Sequence, residues 1–164
     1  LYLVGWTSAE LGGSEYSRML GIRGGAVPNV DLRLAPRIMK AMTRAIKRGL
    51  VCACHDLSEA GLGLAVAEMA FSGGIGAEIK LDLVPGRNGR LRPDIILFSE
   101  SNTRFLAEVD PRKGAAFKKI LAGLPCARIG RTTTSSDLVV NDRGKNIIGL
   151  SLRRLRRAWL RKVI

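Results

Sequence analysis

The chain has little of what would make its chemistry obvious. It holds one histidine, three cysteines and 5% aromatic residues in 164. A single histidine without a paired nucleophile leaves covalent acyl chemistry without a basis. Cys52, Cys54 and Cys126 are odd in number, and strand residues two apart point the same way, so no disulfide framework is expected. The Cys52-x-Cys54-His55 run lacks the second cysteine pair or histidine that a tetrahedral metal site needs. The cysteines read instead as small buried residues in a reducing, cytoplasmic setting. No apolar run approaches the roughly twenty residues of a membrane span, and no signal peptide is discernible, so no membrane partner is expected. Acids are also scarce: 14 Asp and Glu stand against 27 Lys and Arg, for a net charge of +13. Such a balance suits a polyanion or an acidic partner. Readers of bases interleave arginine with aromatic rings, and those rings are missing. A basic face towards solvent or a protein is therefore the better reading, with nucleic acid the lesser one.

What is present is a steady alternation of strand and helix signals. At 46% apolar residues, the chain has enough to build one core, and residues 1–164 read as a single domain. Strands are expected at Leu1–Trp6, Leu50–Cys54, Ala77–Leu83, Ile95–Phe98 and Arg104–Val109, with a late pair at Ala127–Arg131 and Leu138–Val140. Helices are expected at Ser14–Leu20, from Asp31 to near Gly49, from Ser58 to about Phe71, and over Pro111–Leu121. A last helix follows Ser151 and carries Arg153, Arg154, Arg156, Arg157, Arg161 and Lys162. In the long helix Leu34, Ile38, Met42, Ala45 and Ile46 recur three and four apart. This alternation predicts an α/β sandwich, α+β-like, with a mixed β-sheet and helices packed on it. Leu1 opens the sequence already in strand pattern, so a domain cut from a longer polypeptide is expected.

Two polar clusters are candidates for chemistry. The first is His55-Asp56-Leu57-Ser58-Glu59, between a buried strand and a helix start that Ser58 would cap. Asp56 offers a hard oxygen for Mg²⁺ or a phosphate-bound cation. His55 offers an acid, a base or a donor to phosphate. On the plainer reading Asp56 and Ser58 only cap the helix, and His55 bonds locally. The second cluster is Ser99-Glu100-Ser101, after the other apolar run; it would share a sheet edge with Asp56 if the two strands are neighbours. Otherwise it is a polar turn. Gly12-Gly13-Ser14-Glu15 falls well short of a nucleotide-binding glycine motif and reads as a turn into a capped helix.

Taken in order, these pieces resemble one family. They are Leu11-Gly12-Gly13-Ser14-Glu15-Tyr16, Asp31-Leu32, His55-Asp56-Leu57-Ser58-Glu59-Ala60-Gly61-Leu62, Ala67-Glu68-Met69-Ala70, Gly76-Ala77-Glu78-Ile79, Phe98-Ser99-Glu100-Ser101 and Ala127-Arg128-Ile129-Gly130. Over nearly its whole length the chain resembles the C-terminal domain of the large synthetase component of phosphoribosylformylglycinamidine synthase. The same superfamily holds aminoimidazole ribonucleotide synthetase, selenophosphate synthetase and a hydrogenase maturation protein. The resemblance implies a ligase of purine biosynthesis in which ATP, with Mg²⁺, activates the amide oxygen of formylglycinamide ribonucleotide. Ammonia from a glutaminase component then displaces phosphate. It implies an aminoimidazole ribonucleotide synthetase C-terminal-domain-like fold forming one wall of a cleft, inactive alone. The enzyme's own nucleotide-binding domains and the glutaminase would be its partners. It places Asp56, Ser58, Ser99, Glu100, Ser101 and His55 at the substrate or nucleotide cleft, Asp56 towards the metal, and no catalytic base among them. Ala60 stands where the family commonly has glycine. The alternative from composition alone is a basic nucleic-acid-binding or scaffold module.

Overall fold

The computed structural model describes residues 1–161. Along the chain lie β1 (Tyr2–Val4), α1 (Glu15–Met19), α2 (Ala35–Lys47), β2 (Ala53–Asp56), α3 (Gly61–Gly73), β3 (Gly76–Lys80) and α4 (Pro93–Phe98). Then come β4 (Phe105–Glu108), α5 (Gly114–Ile120), β5 (Cys126–Arg128), β6 (Gly130–Thr133), β7 (Asp137–Asp142), β8 (Lys145–Ser151) and α6 (Leu152–Arg161).

The α/β class is as expected, but there are two four-stranded sheets rather than one. The first, ordered β2-β4-β1-β5, is antiparallel throughout. The second, ordered β6-β3-β7-β8, contains the parallel pair β3 and β7. The chain leaves the first sheet for the second at one fully buried residue, Ile129, between β5 and β6.

Side-chain alternation assigns the faces of the first sheet. Tyr2, Val4 and Ala107 meet Ile38 and Met42 of α2 and Phe117 of α5 on one side. Leu3 and Leu106 meet Leu62 and Val66 of α3, with Ile79 and Val140 of the second sheet, on the other. A helix that is apolar all round belongs inside, and α3 fits that rule; it packs against β2, β3, β4, α4 and α6. Each large side chain fully buried here contributes roughly 1.5–3 kcal/mol relative to exposure.

Several local expectations change. Ile95–Phe98 is not a strand but lies in α4, which starts at Pro93 with its fixed φ. A four-residue apolar run does not distinguish a strand from a buried helical turn. The strand at Leu50–Cys54 moves to Ala53–Asp56 and is an edge strand, so Cys52 and Cys54 are exposed rather than buried. The long helix begins at Ala35; Asp31 caps the turn before it, its Oδ1 accepting from the Arg33 and Leu34 amides at 3.1 and 3.0 Å. β8 has no counterpart among the expected strands. Its signal is the Arg143-Gly144 pair, whose φ values of +48° and +75° suit a tight hairpin turn. Ser151 does precede the last helix and accepts from the Arg154 amide at 3.4 Å; Lys162 lies outside the described residues. Among those residues no helix is long and apolar enough to cross a membrane.

Candidate functional site

The turn Ser99–Arg104 links the end of α4 to β4. Ser99 leaves the helix in an extended conformation, with ψ at 140°. Its hydroxyl donates to the Ser8 carbonyl at 2.7 Å, while Ser101 Oγ accepts from the Ser8 amide at 3.0 Å. The two hydroxyls are 3.0 Å apart. Both serines are buried, so they hold the turn against the segment that follows β1.

Beneath the turn lies Arg104, only 1% exposed. Its Nε donates to the Ser101 carbonyl at 3.0 Å and its Nη1 to Thr7 Oγ1 at 3.2 Å. Nη2 donates to the Ser99 carbonyl. All three acceptors are neutral. Burial pushes the guanidinium down to about 10, while the charges of Glu10 and Glu100 act in the opposite sense. By sequence alone Arg104 is only the first residue of a strand. A lone arginine leading the apolar Phe105-Leu106-Ala107 run is the one signal of its role.

Glu100 ties three segments together. Its Oε1 accepts from the Ala60 amide at 2.8 Å and from the Glu15 amide at 3.0 Å. Ala60 is the N-cap of α3, and Glu15 is the first residue of α1. The amides at these two helix starts thus hold an internal carboxylate. The glycine turn before α1 behaves as a capped helix start, with Ser14 Oγ accepting from the Ser17 amide at 3.1 Å.

The loop after β2 runs beside this turn. The Leu57 amide donates to the Arg104 carbonyl at 3.0 Å. Asp56 is exposed, and Ser58 donates its hydroxyl to Asp56 Oδ2. That bond holds the Asp56 carboxyl below its usual range. Ser58 is therefore not the helix cap; α3 starts three residues later, at Gly61. No hydrogen bond or ion pair joins Asp56 to Ser99, Glu100 or Ser101 among the described residues; the backbone places their loops side by side. His55 faces two ways, with its Nδ1 3.7 Å from Asp56 Oδ1. Its Nε2 lies 3.1 Å from Glu68 Oε2, and Glu68 Oε1 accepts from Trp159 Nε1 at 3.1 Å. This chain of contacts ties β2 to α3 and α6 beside an apolar cavity of about 680 Å³.

No three His, Cys, Asp or Glu side chains gather as a metal site among the described residues. Asp56 supplies an exposed carboxylate, and Glu59 in the same loop is exposed as well. That suits an ion such as Mg²⁺, which keeps several waters and takes phosphate oxygens for much of its shell.

The two loops carry backbone strain. Ala60 has φ +53° and the β-branched Thr103 has φ +59°, in the left-handed region that favours glycine. Ala60→Gly is expected to raise stability by about 0.5–1 kcal/mol, because relief of the left-handed strain outweighs the added freedom of the unfolded glycine. The urea midpoint measures this; a lower midpoint would contradict it.

Comparison with known proteins gives the family and the fold. Residues 1–143 match the family model described as AIR synthase related protein, C-terminal domain. The phosphoribosylformylglycinamidine synthase subunit PurL of Alkaliphilus metalliredigens is 36% identical over 162 residues, covering 97% of this chain and 21% of that protein. Thermotoga maritima PurL complexed with FGAR superimposes with a TM-score of 0.81 at 24% identity, covering 94% of this chain and 27% of that one. A chain of PurLQS from Thermotoga maritima gives 0.76 at 24% identity, covering 94% and 25%. The chain thus spans about a fifth of the length of the curated relative it matches.

Proposed function

We propose, since the chain belongs to the family AIR synthase related protein, C-terminal domain, that it serves as the C-terminal domain of a phosphoribosylformylglycinamidine synthase. The observation that carries this reading is the alignment of nearly the whole chain with a synthase subunit of that name. The reaction is then an ATP-dependent amidation of formylglycinamide ribonucleotide with glutamine-derived ammonia, in cytoplasmic purine biosynthesis. Residues 1–164 act as one domain beside the enzyme's nucleotide-binding domains and supply one wall of a ligand cleft. A glutaminase component is the further partner, and the neighbour PurLQS is consistent with an assembly of several components.

Within that cleft the residues divide into two roles. Asp56 presents an exposed carboxylate, kept ionised by the Ser58 hydroxyl, towards a magnesium–phosphate group. Ser99, Glu100 and Ser101 shape the neighbouring wall, and Arg104 beneath them sets its backbone. Glu100 bonds inwards, to two amides, so its part is to position the loops rather than to meet ligand. His55 faces Glu68 and contributes to the fold.

The test uses the synthase that carries this domain. Asp56→Asn leaves the surface shape unchanged and is expected to lower kcat/KM for the amidation about tenfold or more, chiefly through nucleotide affinity. Glu100→Gln keeps an acceptor oxygen and is expected to lower kcat/KM with little change in nucleotide affinity. Full activity in both variants would remove the cleft assignment. Product formed by the isolated chain from ribonucleotide, ATP and ammonia would show that the domain is not one wall of a larger site.

A further inference from the structure

α2 has more than one working face. Ala35, Ile38, Ala41, Met42 and Ala45 are buried against the first sheet. On the outside, Leu32, Met39 and Ile46 are 82%, 53% and 50% exposed. They are spaced seven apart, so Met39 and Ile46 lie on nearly one line along the helix, with Leu32 at its lead-in turn. Pro36 and Thr43, also exposed, fill the intervening fourth positions. Next to this row runs a second with the same spacing, shifted by one residue: Arg33, Arg37, Lys40, Arg44 and Lys47. None of these five cations makes an ion pair among the described residues. No Asp or Glu lies between Leu32 and Leu50.

A solvated helix face normally mixes both signs and does not repeat an apolar side chain every heptad. An apolar residue recurring every seventh position supplies one of the two seam positions by which one helix seats against another, the other being held here by Pro36 and Thr43. A flanking row of one sign selects a flank of the opposite sign. We infer that the outer face of α2 is a docking surface for an amphipathic helix of a partner protein, one whose apolar seam is bordered by aspartate or glutamate. A second copy of this chain does not fit, because it would bring the same cations to the seam. A nucleic-acid backbone would meet the cations but leave the Leu32–Met39–Ile46 row without a partner. The inference is independent of the catalytic reading, since α2 and α3 lie on opposite faces of the first sheet.

The probe is a fluorescent synthetic helix with leucine at heptad a and d positions and glutamate on both flanks, titrated with the full chain. Saturable binding that weakens with added salt is expected. Met39→Asp and the double variant Arg37→Glu/Arg44→Glu should each weaken it about tenfold or more. All these side chains are exposed, so the circular dichroism spectrum and urea midpoint should stay near those of the parent. The double variant should instead prefer a lysine-flanked version of the probe. No saturation at about 1 mM chain, or binding indifferent to Met39→Asp, would overturn the inference. So would tighter binding of a labelled DNA duplex that Arg37→Glu/Arg44→Glu abolishes and Met39→Asp leaves intact, which would make this a polyanion surface.

Discussion

Arg104→Met is expected to lower stability by about 3 kcal/mol and to loosen the Ser99–Ser101 turn. Arg104 satisfies two buried carbonyls and the Thr7 hydroxyl with one side chain. Methionine fills a similar volume and donates nothing. Each buried acceptor left without a donor costs roughly 1–3 kcal/mol. Part of that loss is offset, because a buried guanidinium itself carries a desolvation penalty. That penalty is visible in the lowered Arg104 pKa. Arg104→Lys separates charge from geometry: one ammonium cannot reproduce the three-way fork, so an intermediate loss is expected. Urea denaturation reads both variants. A midpoint for Arg104→Met equal to that of the parent would mean the turn stands without its arginine.

Gly61→Ala should be at least as severe, at about 3 kcal/mol or more. Gly61 has φ +59°, and a Cβ there would lie 2.2 Å from the Ser99 carbonyl oxygen and 3.0 Å from that of Leu97. Left-handed strain accounts for roughly 1–2 kcal/mol of the loss. Overlap with fixed backbone adds roughly 1–3 kcal/mol. Gly74, at the other end of α3, provides the control. It has φ +65°, but a methyl added there would meet nothing within 4 Å. Gly74→Ala should therefore show the strain alone, roughly 1 kcal/mol after the unfolded-state effect. Equal losses at the two glycines would show that the start of α3 does not need its close approach to the Ser99 turn. If Gly61→Ala shifts that turn as expected, Ala60 and Glu100 lose their 2.8 Å bond with it.

The sequence is most legible where a local rule carries long-range consequences. The apolar content of α3, broken only by Glu68 and Ser72, marks it as a central helix. Ser14 and Asp31 are readable as caps, because capping is settled within three or four residues. The motif order suffices for the family resemblance that residues 1–143 then match. Ser58 misleads because the same hydroxyl has two local partners, the helix amides or Asp56, and it bonds the carboxylate. Ile95–Phe98 misleads because four apolar residues fit either period, and Pro93 decides for helix.

Spacing and composition thus determined the class of fold, the caps at Ser14 and Asp31 and the two polar turns. They could not decide which turn meets which, because that depends on pairings between residues forty or ninety apart in sequence. Only the folded chain put Glu100 across the starts of α1 and α3, buried Arg104 beneath it and set His55 beside Glu68. The reason is physical. A half-buried carboxylate or a buried guanidinium must find its hydrogen-bond partners within about 3 Å, and the sequence names the groups in need without naming who will satisfy them.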